Sequence, residues 1–149
     1  MIKNDNLYIM FTIGNYQINI LKFTYECQTW NTPSHAHSSN SYEIHFVPKG
    51  KGLLISNQCR YELHPGILYT TGPHIEHQQY SDPDDPTYEY CIYLRIEKAH
   101  DTKKNSSENS IIEPFLHYPF WYGKDCAKLQ TTLEAIYQEF SAPGSAAPI

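Results

Sequence analysis

Positive charge is scarce in this chain. Eleven Lys and Arg face 16 Asp and Glu, the formal charge is −5, and no local run of basic residues offsets it. A protein that grips nucleic acid must neutralise phosphates with such residues, so the chain on its own is not expected to hold DNA. Cysteine pairing is missing too: Cys27, Cys59, Cys91 and Cys126 are scattered with no C-x-x-C among them, which argues against a disulfide framework and a thiolate zinc site. No apolar run approaches the length of a membrane span, and the opening MIKNDNLYIMFTIG lacks the pattern of a secretory signal. Together these absences predict a cytoplasmic location with reduced thiols and no membrane partner. Absent as well are a G-x-S-x-G nucleophile motif and a Gly-rich phosphate loop, so no catalytic residue is nominated and no enzyme is expected. Glycine is sparse, seven residues against 13 Tyr and ten Pro, a balance that leans toward strands and turns.

What is present is alternation. In SYEIHFVPKGKGLLI, Ser41 to Ile55, Glu43 and His45 fall on one side of a strand and Tyr42, Ile44 and Phe46 on the other, before Pro48, Gly50 and Gly52 break the pattern. An earlier segment, Tyr16 to Cys27, is rich in β-branched and aromatic residues. Short strands then recur, Leu53 to Ser56, Arg60 to Leu63 and Ile67 to Thr71, each closed by a turn signal: Asn57-Gln58, HPG, GPH. That rhythm belongs to sandwiches and barrels. After SDPDDP, the run TYEYCIYLRIE sets Tyr88, Tyr90, Ile92, Leu94 and Ile96 on one face and Glu89, Cys91, Tyr93 and Arg95 on the other. The mixed face can meet water in an open sandwich, with Glu89 and Arg95 as an ordinary cross-strand pair. In a closed barrel it lines an interior that holds one small ligand. Periodicity leaves both open.

The expected organisation is a β-domain over residues 1–97, a polar connection and helical segment over 98–140, and a linker or cloning remnant over 141–149. The connection KAHDTKKNSSENS reads as loop or frayed helix, and aromatics return in IIEPFLHYPFWYG. Asp125 sits where an N-cap belongs, and Leu129, Leu133, Ile136, Tyr137 and Phe140 form an apolar stripe at helical spacing. An amphipathic helix over 125–140 follows. A short helix gains most of its stability from packing, so something must cover the stripe: a second copy of the chain, which is the favoured expectation, or the barrel's own face of Tyr88, Tyr90, Ile92 and Leu94.

The ordered set HAHSSNSYEIHFVPKGKGLLI, then YELHPGILYTTGPHIEHQQ, resembles the two motifs of the cupin superfamily, and in detail the N-terminal sensor domain of AraC-family transcription regulators. The likeness runs from about Ser34 to Ile96 and includes Gly50 after Glu43, Pro65-Gly66, and GPHIEH ending at His77. It implies a mainly β fold, a cupin-type jelly-roll β-barrel followed by a C-terminal amphipathic helix. It also implies a small effector, often a sugar, bound inside, a homodimer formed through the helix, and DNA contacted only through a helix-turn-helix domain that this sequence lacks. Glu43, His45, His77, Gln79, Glu89, Cys91 and Tyr93 are the candidate ligand contacts, because a sugar needs fixed hydrogen-bond partners for its hydroxyls.

Metal is the rival chemistry, as metal-binding cupins use an H-x-H pair, a Glu and a later His. Here those would be His35, His37, Glu43 and His77, a donor set suited to iron, manganese, nickel or zinc. The gap between His37 and Glu43 is longer than the family spacing, so no cofactor is expected. The alternative function, a metal-dependent dioxygenase or sugar isomerase, depends on that ion.

Overall fold

A computed structural model of the protein describes residues 3–4, 7–100 and 106–141. All but the first residue of the expected tail over 141–149 lie outside the described residues. In chain order the elements are β1 (Lys3–Asn4), β2 (Ile9–Ile13), β3 (Tyr16–Cys27), β4 (Thr32–His35), β5 (Ser41–Lys49), β6 (Gly52–Ser56), β7 (Cys59–Leu63), β8 (Ile67–Thr71), β9 (His77–Ser81), β10 (Tyr88–Lys98), α1 (Asn109–His117), β11 (Phe120–Lys124) and α2 (Leu129–Ser141). Two antiparallel sheets face each other. The larger runs β1-β3-β10-β5-β8-β11, with β2 also on β3, and the smaller runs β4-β9-β6-β7. The mainly β expectation holds.

Strand alternation decides what fills the space between the sheets. Val47, Leu54, Leu63, Ile67 and Tyr69 make a dry core at one end. At the other end β5, β9 and β10 turn Glu43, His45, His77, Gln79 and Glu89 inward. The barrel is thus half core and half cavity. Gly50 closes β5 with φ +87°, a conformation few side chains adopt, and a Cβ there would collide with the Pro86 carbonyl.

The outer face of the large sheet is apolar and covered by the helices. Ile112 of α1 packs on Ile18, Tyr42, Leu94 and Ile96. Leu133 of α2, 2% exposed, packs on Phe23, Phe46 and Tyr90, with Leu129, Tyr137 and Phe140 alongside. This corrects the expectation that a second copy covers the stripe: the chain's own sheet does so, because β3, β5 and β10 together present an aromatic surface wide enough for the helix. Ile136 remains outward, 37% exposed.

Three further differences have local causes. The helix starts at Leu129 rather than Asp125, because Lys128 takes φ 58°. Asp125 still serves the helix end, its carboxylate accepting from the Ala127 and Gln130 N–H groups at 3.0 and 3.3 Å. Helix α1 hides in the polar and aromatic stretch because Pro114 lies inside it. Its start is tied to the β2–β3 turn, where Asn109 Oδ1 accepts from Asn15 N–H at 2.8 Å and Glu108 Oε2 from Gly14 N–H at 2.9 Å. Finally, β11 pairs with β8, Tyr122 opposite Tyr69, so the sheet continues past the expected limit at residue 97. Between α1, β11, the start of α2 and the sheet lies a second, almost wholly apolar cleft of about 510 Å³, walled by Ile44, Leu68, Phe115, Tyr118, Trp121 and Leu129.

Candidate functional site

The inner cavity measures about 250 Å³. Its floor comes from β5, β9 and β10; β10 sets Cys91 beside His45, and β8 sets Tyr69 on His45's other side. Its rim comes from β3 and the segment after it, through Lys22, Thr24, Glu26, Gln28, Trp30 and Thr32. Six of the seven expected ligand contacts line it: Glu43, His45, His77, Gln79, Glu89 and Cys91. Tyr93 does not. A register shift after Tyr93 leaves its ring 5.8 Å from that of His37 while its hydroxyl donates to Ser41 Oγ at 3.0 Å. The Glu89–Arg95 pair is also absent, Arg95 donating instead to Glu97 at 3.1 Å.

His45 is the centre of a buried network. Its Nδ1 lies 2.6 Å from Glu89 Oε1 and its Nε2 3.0 Å from Glu43 Oε2. Tyr69 stacks on the imidazole at 4.4 Å and donates to Glu89 Oε2, which also accepts from Gln79 Nε2 at 2.9 Å. Burial works against the imidazolium, and the acidic groups of Tyr69, Cys91 and Glu89 work for it; the outcome is a pKa well above the ordinary histidine value. Tyr69 and Cys91 are themselves pushed up by burial, Cys91 to about 11. Both are neutral near pH 7, so the proton on His45 is held by the carboxylates at its two nitrogens, Glu89 at Nδ1 and Glu43 at Nε2. Burial alone would raise Glu43, but its contacts with His37 and His45 hold it below the usual carboxylate range. An ion pair this buried gains little net stability, yet removing one partner strands the other.

Beside this network four possible metal ligands meet. One atom from each of His35, His37, Glu43 and His77 lies within 4.8 Å of the others. The extra length between His37 and Glu43 does no harm, because Asn40 turns the chain with φ 63° and His37 bridges to Pro73. The spacing argument against a metal therefore fails on geometry. The donor set also fits. His35 Nδ1 and His77 Nδ1 each lie 2.9 Å from a backbone carbonyl, of Pro33 and Ile75, which leaves each Nε2 as the lone-pair nitrogen. His37 Nε2 stands 2.9 Å from Glu43 Oε2 but out of line for a hydrogen bond, a buried nitrogen without such a partner among the described residues. Burial, with His35 and His45 adding like charge, lowers His77 to about 4, keeping it neutral as a ligand must be.

Sequence reasoning missed Tyr69 and the rim. The signal for the rim was the alternation Lys22, Thr24, Glu26, Gln28 against Phe23, Tyr25 and Cys27.

Several solved structures are similar to this chain. A cupin protein from Bacteroides fragilis is 18% identical with TM-score 0.44, the match covering 73% of this chain and 91% of that one. A Cupin 2 conserved barrel domain protein from Salinispora arenicola is 17% identical with TM-score 0.40, covering 71% and 74%. The protein YhaK from Escherichia coli is 8% identical with TM-score 0.50, covering 83% and 51%. No curated protein matches the chain. The family model of the AraC-like ligand binding domain matches residues 19–146. With a polar cavity inside a jelly-roll barrel and a match spanning most of its length, the chain belongs to the AraC-like ligand binding domain family.

Proposed function

We propose that the inner cavity binds one small polar effector of monosaccharide size, and that the domain is the effector-sensing part of an AraC-type transcription regulator whose DNA contacts lie in other segments. The carrying observation is the convergence of Glu43, His45, His77, Gln79 and Glu89 on one cavity of about 250 Å³, just under the usual size of small-molecule sites. The net charge of −5 supports leaving DNA to another part. Effector binding acts by favouring one arrangement of the chain over another. Homodimerisation belongs to this reading, with the outward side of α2 around Ile136 as its surface. Among the described residues no helix is long and apolar enough to cross a membrane. The test is a thermal-shift screen against sugars. A ligand at a hundred times its Kd adds about 2.7 kcal/mol, roughly 5–11 °C at about 2–4 °C per kcal/mol for a domain this size. Hits should change the emission of Trp30 at the rim. A screen with no shift, or with shifts that survive Gln79→Ala unchanged, refutes the reading.

A second reading is favoured by the convergence of His35, His37, Glu43 and His77, one possible ligand atom from each lying within 4.8 Å of the others. His35, His37, Glu43 and His77 would hold a divalent transition-metal ion, which when bound supplies Lewis acidity toward a ligand oxygen. The chain would then be a metal-dependent cupin enzyme, in which His45 and Glu89 orient Glu43. Elemental analysis decides: about one equivalent of metal, lost in both His37→Ala and His77→Ala, supports it, and metal-free protein after growth with zinc, iron and nickel refutes it.

A further inference from the structure

We infer that the ligand of the inner cavity carries no anionic group and is held through hydroxyl or ammonium donors. The inference rests on the reading of the cavity as a small-molecule site and narrows its ligand class. Among the lining residues, Glu26, Glu43 and Glu89 face Lys22 alone. Counting His45 as a cation still leaves three carboxylates against two positive side chains, so the lining is negative whichever form His45 takes. Glu89 is only 3% exposed and the Glu43 side chain 17%, so water and salt screen these charges poorly.

Hydrogen-bond polarity points the same way. His77 Nδ1 is engaged with the Ile75 carbonyl, so its Nε2 accepts. Glu43 meets His45 and His37 through Oε2, and none of these contacts uses its Oε1. Gln79 gives one amide N–H to Glu89 at 2.9 Å, and its carbonyl lies 3.1 Å from the Tyr69 hydroxyl. A carboxylate or phosphate entering here meets lone pairs and like charge, whereas a hydroxyl or an ammonium donates to both Glu43 and His77. At the rim, Trp30, 62% exposed, offers a flat face suited to a C–H surface or a cation.

The experiment uses chelator-treated protein and matched triplets that differ at one substituent: galactose, galactosamine and galacturonic acid, and the gluco and manno counterparts, followed by thermal shift and calorimetry. Within the best-binding triplet the uronic acid should bind at least about tenfold more weakly than the neutral or amino sugar, a difference of about 1.4 kcal/mol. Glu26→Gln should narrow that gap by admitting the acid. If the uronic acid is the tightest member, the charge inference is overturned while the cavity reading stands. If no triplet member binds, the cavity reading falls and takes the inference with it.

Discussion

Leu133 separates two accounts of the C-terminal helix. Its side chain is 2% exposed and wedged against Phe23, Phe46 and Tyr90 of the chain's own sheet. Buried Leu→Ala substitutions cost about 2–5 kcal/mol, more where the surroundings cannot collapse. Phe23 and Tyr90 are stacked at 6.1 Å and Phe23 also meets Phe140 at 6.1 Å, so this pocket is braced and a loss of about 3 kcal/mol is expected for Leu133→Ala. At about 2–4 °C per kcal/mol, that is a fall in Tm of roughly 6–12 °C. Leu133→Glu places a carboxylate where no partner waits and should abolish cooperative unfolding. Because the contact is within one chain, the fall must not depend on protein concentration, whereas a contact between subunits would follow mass action. The assay is differential scanning calorimetry over a hundredfold concentration range with light scattering alongside. A wild-type dimer that Leu133→Glu converts into a well-folded monomer of nearly unchanged Tm would refute the packing argument and restore the second copy as the cover.

Other expectations follow from the site and the caps. His77 is lowered to about 4 from 6.5, so between those values the unfolded chain takes a proton that the folded one does not. Stability therefore declines as pH falls from about 6.5 to about 4. Urea unfolding at stepped pH should show that decline reduced in His77→Gln, and an identical slope would contradict the assignment. Glu89→Gln removes the anion 2.6 Å from His45 Nδ1, so the His45 imidazole resonance should titrate at lower pH than in the wild type; no movement would mean that Glu89 has no part in holding the proton. Asp125→Ala withdraws the carboxylate from the Ala127 and Gln130 N–H groups and should cost about 1 kcal/mol, read by chemical unfolding, with no effect on ligand binding in the cavity.

The sheet faces were legible because strand periodicity is a covalent property: Glu43 and His45 must share a side, as must Glu89 and Cys91. Which side faces inward was not legible, since that depends on closure of the barrel by strands far apart in sequence. The same strand rule applied to β3 would have found Lys22, Thr24 and Glu26, but the aromatic residues between them carried the stronger pattern. Tyr69 was hidden for another reason. Only the β5–β8 register puts it opposite His45, and register is a pairing fact that one strand's sequence does not state. The candidate metal ligands depart from the family spacing and still converge, because one left-handed residue, Asn40, takes up the extra chain. The cover of α2 was misjudged because helical amphipathicity shows that a face is buried and not against what.

Strand β5 is a party wall between two rooms of opposite character. Glu43 and His45 furnish the polar inner cavity, while Ile44, bonded between them, is panelling in the apolar cleft outside, to which α1 and α2 both lend a wall. The wall is a single backbone thick. A tenant that pushes residues 43 and 45 by a few tenths of an ångström cannot leave residue 44 where it was, so furniture moved in one room is felt at once in the other, with no relay of side chains between them.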